Sequence, residues 1–98
     1  MEMDDNTLVA EIKKSLGITT DDPLVLANIK TKAIAAKNYL VKGGALHMKA
    51  DSVTIKYKLS EEDITCIAIG TNDLLNNKPG ETKFSPAFIL LAQQICRG

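Results

Sequence analysis

Hydrophobic residues recur along most of this chain at intervals of three and four, the spacing that lines one face of a helix. Leu8, Val9, Ile12 and Leu16 form the first such set, with Asn6 or Thr7 placed to cap it and Gly17 to end it. Asp21-Asp22-Pro23 opens the second, because proline in a first turn lacks only an N–H that the helix leaves unpaired anyway. Its inward stripe is Val25, Ile29, Ala33, Ala36 and Leu40, and Gly43-Gly44 closes it. The alanines at 33, 35 and 36 admit close approach of a neighbouring helix. Ser60-Glu61-Glu62-Asp63 starts a third helix, its acids in the first turn where the helix dipole favours them. Ile64, Ile67, Ala68, Thr71, Leu74 and Leu75 face inward there, and Gly70 marks either a tight packing contact or a bend, since it costs the helix ~1 kcal/mol relative to Ala. Asn76 to Gly80 is a turn, with Pro79-Gly80 at the centre of a type II geometry. Ser85-Pro86 starts a fourth helix carrying Phe88, Leu91, Ala92 and Ile95 on one face.

The pattern changes once, where Val53, Ile55, Tyr57 and Leu59 alternate with Thr54, Lys56 and Lys58 in the period of a strand. A lone strand needs a partner, so this segment either folds on Leu46–Ala50 as a hairpin or pairs with another copy of the protein. The expected fold is mainly α. It is a single domain over 1–98, a small bundle of about four helices over roughly 6–16, 22–41, 61–77 and 85–97, with a short strand or hairpin within 46–59.

Composition narrows the core and the partners. Hydrophobic residues make up 45% of the chain but only two Phe, two Tyr and no Trp are present, so the core is built from aliphatic side chains. Twelve Lys and Arg balance twelve Asp and Glu. That balance argues against a protein whose main partner is nucleic acid and leaves little repulsion between copies. Charge order says more than charge total: residues 1–22 carry two Lys against six acids, while residues 23–50 carry five Lys and no acid. Apolar stretches such as Ala87–Ala92 fall far short of the ~20 residues that cross a bilayer. The acidic start Met1-Glu2-Met3-Asp4-Asp5 is unlike a signal peptide, and Cys66 and Cys96 suit buried thiols in a reducing cytosol.

Candidate chemistry is sparse. His47 has no nucleophile near it in sequence and is expected on the surface. The two cysteines have neither Cys-x-x-Cys spacing nor a companion His for a metal. Asp4-Asp5, Asp21-Asp22 and Glu61-Glu62-Asp63 all lie at helix starts, where capping accounts for them, and Gly43-Gly44 is not followed by the Lys-Ser of a phosphate loop. The expectation is a protein without catalytic residues, metal or cofactor.

The stretch from Gly70 to Phe88, Gly-Thr-Asn-Asp-Leu-Leu-Asn-Asn-Lys-Pro-Gly-Glu-Thr-Lys-Phe-Ser-Pro-Ala-Phe, resembles the C-terminal half of the small head-to-tail connector proteins of tailed bacteriophages. In that family a helix ends in an Asn-Asp-Leu type sequence, a glycine turn follows, and a Phe-Ser pair opens a last helix with Gln near its end. The matching positions are Asn72, Asp73, Leu74, Asn76, Gly80, Phe84, Ser85, Phe88 and Gln93 or Gln94. The short first helix, the Gly17-Ile18 break and the Ala-rich second helix fit as well, whereas Leu75 stands where relatives often place an aromatic. The resemblance implies a structural virion protein, an adaptor in the neck that assembles in the host cytoplasm as a ring, commonly of twelve copies. Its implied partners are itself, the portal protein and a tail-side connector or terminator, with DNA only as the contents of the channel and no membrane. Lys30, Lys32, Lys37 and Lys42 are the candidate contacts to an acidic neighbour, and Asp73, Lys78, Glu81 and Lys83 those around the loop before the fourth helix. Phe84 and Phe88 are expected as core anchors. The alternative is a small DNA-binding or regulatory protein in which helices one and two pack as a helix-turn-helix and the basic second helix contacts phosphates.

Overall fold

A computed structural model describes residues 2–50, 56–78, 81 and 83–97, and these form four helices and one two-stranded antiparallel sheet. In chain order they are β1 (Glu2–Met3), α1 (Asp5–Ser15), α2 (Pro23–Lys42), a 3-10 turn at Leu46–Met48, β2 (Tyr57–Lys58), α3 (Glu61–Leu75) and α4 (Pro86–Arg97). The mainly helical expectation holds, with boundaries shifted by one or two residues.

Local chemistry explains where each helix begins. The first is capped by Asp4 rather than by Asn6 or Thr7: the Thr7 amide donates to its carboxylate at 2.8 Å, so the helix starts at Asp5. The same bond holds the Asp4 carboxyl below the usual carboxylate range. A carboxylate depressed in the folded state stabilises it above the ordinary carboxylate range, and that contribution fades as acid protonates it. Asp22 caps α2 through the Leu24 amide at 2.9 Å, with Pro23 following it as the sequence implies. Ser60 and Asp63 form a reciprocal capping box on α3. At α4 the Ser85 hydroxyl accepts from the Phe88 amide at 3.3 Å, ahead of Pro86.

Two helices end the same way. Beyond α1 the Gly17 amide donates to Lys14 and that of Ile18 to Lys13, with Gly17 at φ +69°. Beyond α2 the Gly44 amide donates to Val41 and that of Ala45 to Leu40, with Gly44 at φ +121°. Both are Schellman closures, in which a left-handed residue lets two amides reach back to orphan carbonyls.

The sheet differs from expectation. Tyr57–Lys58 pairs with the chain's own start, Glu2 opposite Lys58 and Met3 opposite Tyr57, while Leu46–Met48 forms a 3-10 turn and no hairpin strand. Alternation holds from Lys56 to Leu59, with Tyr57 and Leu59 buried and the lysines exposed. The rest of the expected strand, Val53 to Ile55, lies outside the described residues, as does the Pro79-Gly80 turn. What selects β1 is Met3, buried in the core and paired with Tyr57 across more than fifty residues, a contact that a two-residue run cannot announce.

α2 packs most extensively on α3, and both contact α1 and α4 around a core that includes Leu8, Ile12, Ile29, Leu40, Ile67 and Phe88. The Cα radius of gyration, 12.7 Å, is close to the ~13 Å of a compact chain this long. Val25 departs from the expected stripe: it sits in the first turn of α2, beyond its neighbours, and is exposed. Gly70 proves to be a packing contact. A Cβ placed there lies 2.5 Å from Phe88 Cε1 and 3.1 Å from Ala36 Cβ.

Alanine at position 70 gains ~1 kcal/mol of helix propensity but overpacks this contact, which costs ~1–3 kcal/mol, more where a rigid ring must move. Thermal unfolding of Gly70→Ala is expected to show Tm lowered by about 5 °C or more.

Candidate functional site

The second helix does not present a continuous basic face. Lys30 and Lys42 are exposed and Lys32 is half-buried, but Lys37 is buried. Its Nζ lies 3.7 Å from the centroid of the Tyr57 ring and 3.8 Å from Asp5 Oδ1, while the Tyr57 hydroxyl donates to that same oxygen at 2.7 Å. Burial lowers the Lys37 pKa, opposed by the Asp5 charge. Burial also raises that of Tyr57, reinforced by its bond to Asp5. Lys37 is thus engaged within its own chain, buried where the sequence reading expected an exposed lysine. The sequence carries the signal, since position 37 lies four residues after Ala33 and three before Leu40, on the inward stripe itself.

The loop before α4 is similarly divided. Asp73 is half-buried, and its Oδ2 accepts from the Ser85 amide at 2.8 Å, which ties the end of α3 to the start of α4. Asn77 Nδ2 donates to the Lys83 carbonyl at 3.0 Å, and the Glu81 amide to the Lys78 carbonyl at 3.0 Å. The Lys78, Glu81 and Lys83 residues are exposed. Phe84 stacks on Phe88 at 4.1 Å between centroids, and Tyr39 from α2 tilts against both at 4.9 and 5.5 Å. Phe88 is the fully buried anchor; Phe84 is half-buried.

His47 is half exposed but not isolated. Its Nε2 lies 2.9 Å from Oδ2 of Asp63, a buried carboxylate that also accepts the Ser60 amide at 2.9 Å. The pair joins the 3-10 turn to the start of α3, sixteen positions apart in sequence. Asp4, Asp22 and Asp63 all cap helices, the role their positions suggest. Cys66 is buried, its thiol pushed up to about 12 by desolvation, and Cys96 Sγ donates to the Leu40 carbonyl at 3.5 Å.

Sequence reasoning missed the exposed apolar side chains. Leu24, Leu46 and Leu90 are exposed, as are Val25 and Tyr39 in part. Leu24 stands five residues before Ile29, well off the stripe at 100° per residue, a signal available in the sequence. Two apolar grooves flank α2. One of ≈ 320 Å³ runs between α1 and α2, floored by Val9, Ala10, Leu26 and Ala27 with Lys13 and Lys30 on its rim. The other, of ≈ 430 Å³, lies between the C-terminal half of α2 and α4, lined by Tyr39, Lys42, Gly43, Ile89, Ala92, Gln93 and Cys96. None of the described helices is long and apolar enough to cross a membrane. No family model matches the chain, and comparison with curated proteins and with solved structures gives no match either.

Lys37→Glu sets a second carboxylate against Asp5 in a buried site beside the neutral Tyr57 hydroxyl, so a loss of about 3 kcal/mol or more is expected in urea unfolding. Lys30→Glu, on the surface, is expected to stay within about 0.5 kcal/mol of the unaltered protein.

Proposed function

We propose that the chain is a structural subunit of a bacteriophage neck, a connector that assembles head to tail with copies of itself into a ring between the portal and the tail. A head-to-tail contact joins two different patches on each copy, and the rotation between successive copies determines whether it closes. The observation that carries the reading is the pair of unlike surfaces at the two ends of α2, projecting Leu24 and Val25 at its start and the recessed α2/α4 groove at its end.

The resemblance over Gly70 to Phe88 supports the phage assignment, and four of its matched positions, Asp73, Phe84, Ser85 and Phe88, are joined by direct contacts. Asp73 holds Ser85, Asn77 holds the Lys83 carbonyl, and Phe84 and Phe88 stack against Tyr39. These contacts fix α4 as a rigid element on which a neighbour can dock. Weak contacts suffice, because repeated engagement on a symmetric portal gains affinity by multivalency. The DNA-binding alternative has one surface cation fewer than its sequence suggests, since Lys37 is buried.

Native mass spectrometry and electron microscopy of the protein, alone and mixed with the portal protein of the same phage, test this reading. A closed ring of identical subunits seated on the portal is the expected result. A monomer that never joins the portal overturns it.

A further inference from the structure

Leu24 is 81% exposed, the most exposed large hydrophobic side chain among the described residues, and Val25 beside it is 38% exposed. They project from the first turn of α2 next to Asp21 and Asp22, both exposed. At the other end of the same helix, Tyr39 and Lys42 face Ile89, Ala92, Gln93 and Cys96 across the apolar groove. A helix of twenty residues is ~30 Å long, and the longest extent of the molecule is 33 Å. The projection and the groove therefore lie at opposite ends and cannot meet within one chain.

We propose that Leu24 of one copy seats in the α2/α4 groove of the next, with Asp22 brought toward Lys42. The inference rests on the reading of the chain as a self-assembling subunit and adds the surfaces that touch. Shape and polarity agree, a bulky apolar side chain entering a groove with an apolar floor. Charge agrees as well: Asp22 at the start of α2 meets Lys42 at its end, while Asp21 is paired with Lys13 of its own chain. The C-terminal end of one α2 then approaches the N-terminal end of the next, the favourable order for their dipoles. The opposite pairing, Leu90 into the α1/α2 groove, fails on charge. Arg97 follows Leu90 by seven residues on the same face of α4 and would meet Lys30 on that rim, where Lys13 is already paired with Asp21 at 3.0 Å.

Sedimentation and cysteine cross-linking on the full chain test the contact. Because Leu24 is so exposed, Leu24→Glu is expected to leave Tm unchanged while weakening self-association about tenfold or more, and Leu90→Glu to leave assembly unchanged. In a Cys96→Ser background, Leu24→Cys combined with Gln93→Cys is expected to give, on mild oxidation, a ladder of covalently linked chains. Assembly that survives Leu24→Glu, assembled protein without 24–93 cross-links, or assembly broken by Leu90→Glu each overturns this contact and leaves the ring reading intact. Unaltered protein that stays monomeric with and without the portal overturns both.

Discussion

The rest of the fold depends on the missing side chain at Gly70. With no Cβ there, the Phe88 ring lies against the backbone of α3 at a point also within reach of Ala36 on α2. Three helices therefore meet at one contact where a single methyl group is too much. Phe88 is fully buried and carries the aromatic stack with Phe84 and Tyr39, so the position of α4 relative to the C-terminal half of α2 follows from it. The groove between those helices is a consequence of the same contact. Glycine in mid-helix costs propensity, and the close approach is what offsets it.

A second constraint is that most of the polar groups close to the core have defined partners. Asp5 receives the Tyr57 hydroxyl and stands near Lys37; Asp63 serves both its own capping box and His47; Asp73 holds the start of α4. The acidic beginning of the chain and the basic second helix, which the sequence presents as separate blocks, thus meet partly within one molecule. Charge left for a neighbour is correspondingly reduced to positions such as Asp22, Lys30 and Lys42 at the ends and outer side of α2. This argues that any contact between copies relies on shape and apolar burial first, with charge setting the direction.

What the sequence discloses is whatever local chemistry determines. The helix starts at Asp22-Pro23 and Ser60, the stops at Gly17 and Gly43-Gly44, and most of each apolar stripe follow from caps and period, and they are where they should be. The two readings offered for Gly70 resolve into a contact for a reason that no local pattern contains, namely that Phe88 arrives from another helix. The partner of Tyr57–Lys58 was equally illegible, since two residues at the chain start have no periodicity. Lys37 and Leu24 are different: each violates the helical stripe on which it stands or from which it departs, so a stricter reading of angle finds both. The His47–Asp63 pair joins distant segments and has no sequence signature.

The claim that the Gly70–Phe88 contact sets the packing of α4 is tested most directly by a double-mutant cycle in equilibrium unfolding, pairing Gly70→Ala with Phe88→Leu. If the ring is what alanine displaces, the smaller side chain at position 88 relieves part of the strain, and the two changes couple by about 1 kcal/mol or more. Additivity within about 0.5 kcal/mol would contradict the account.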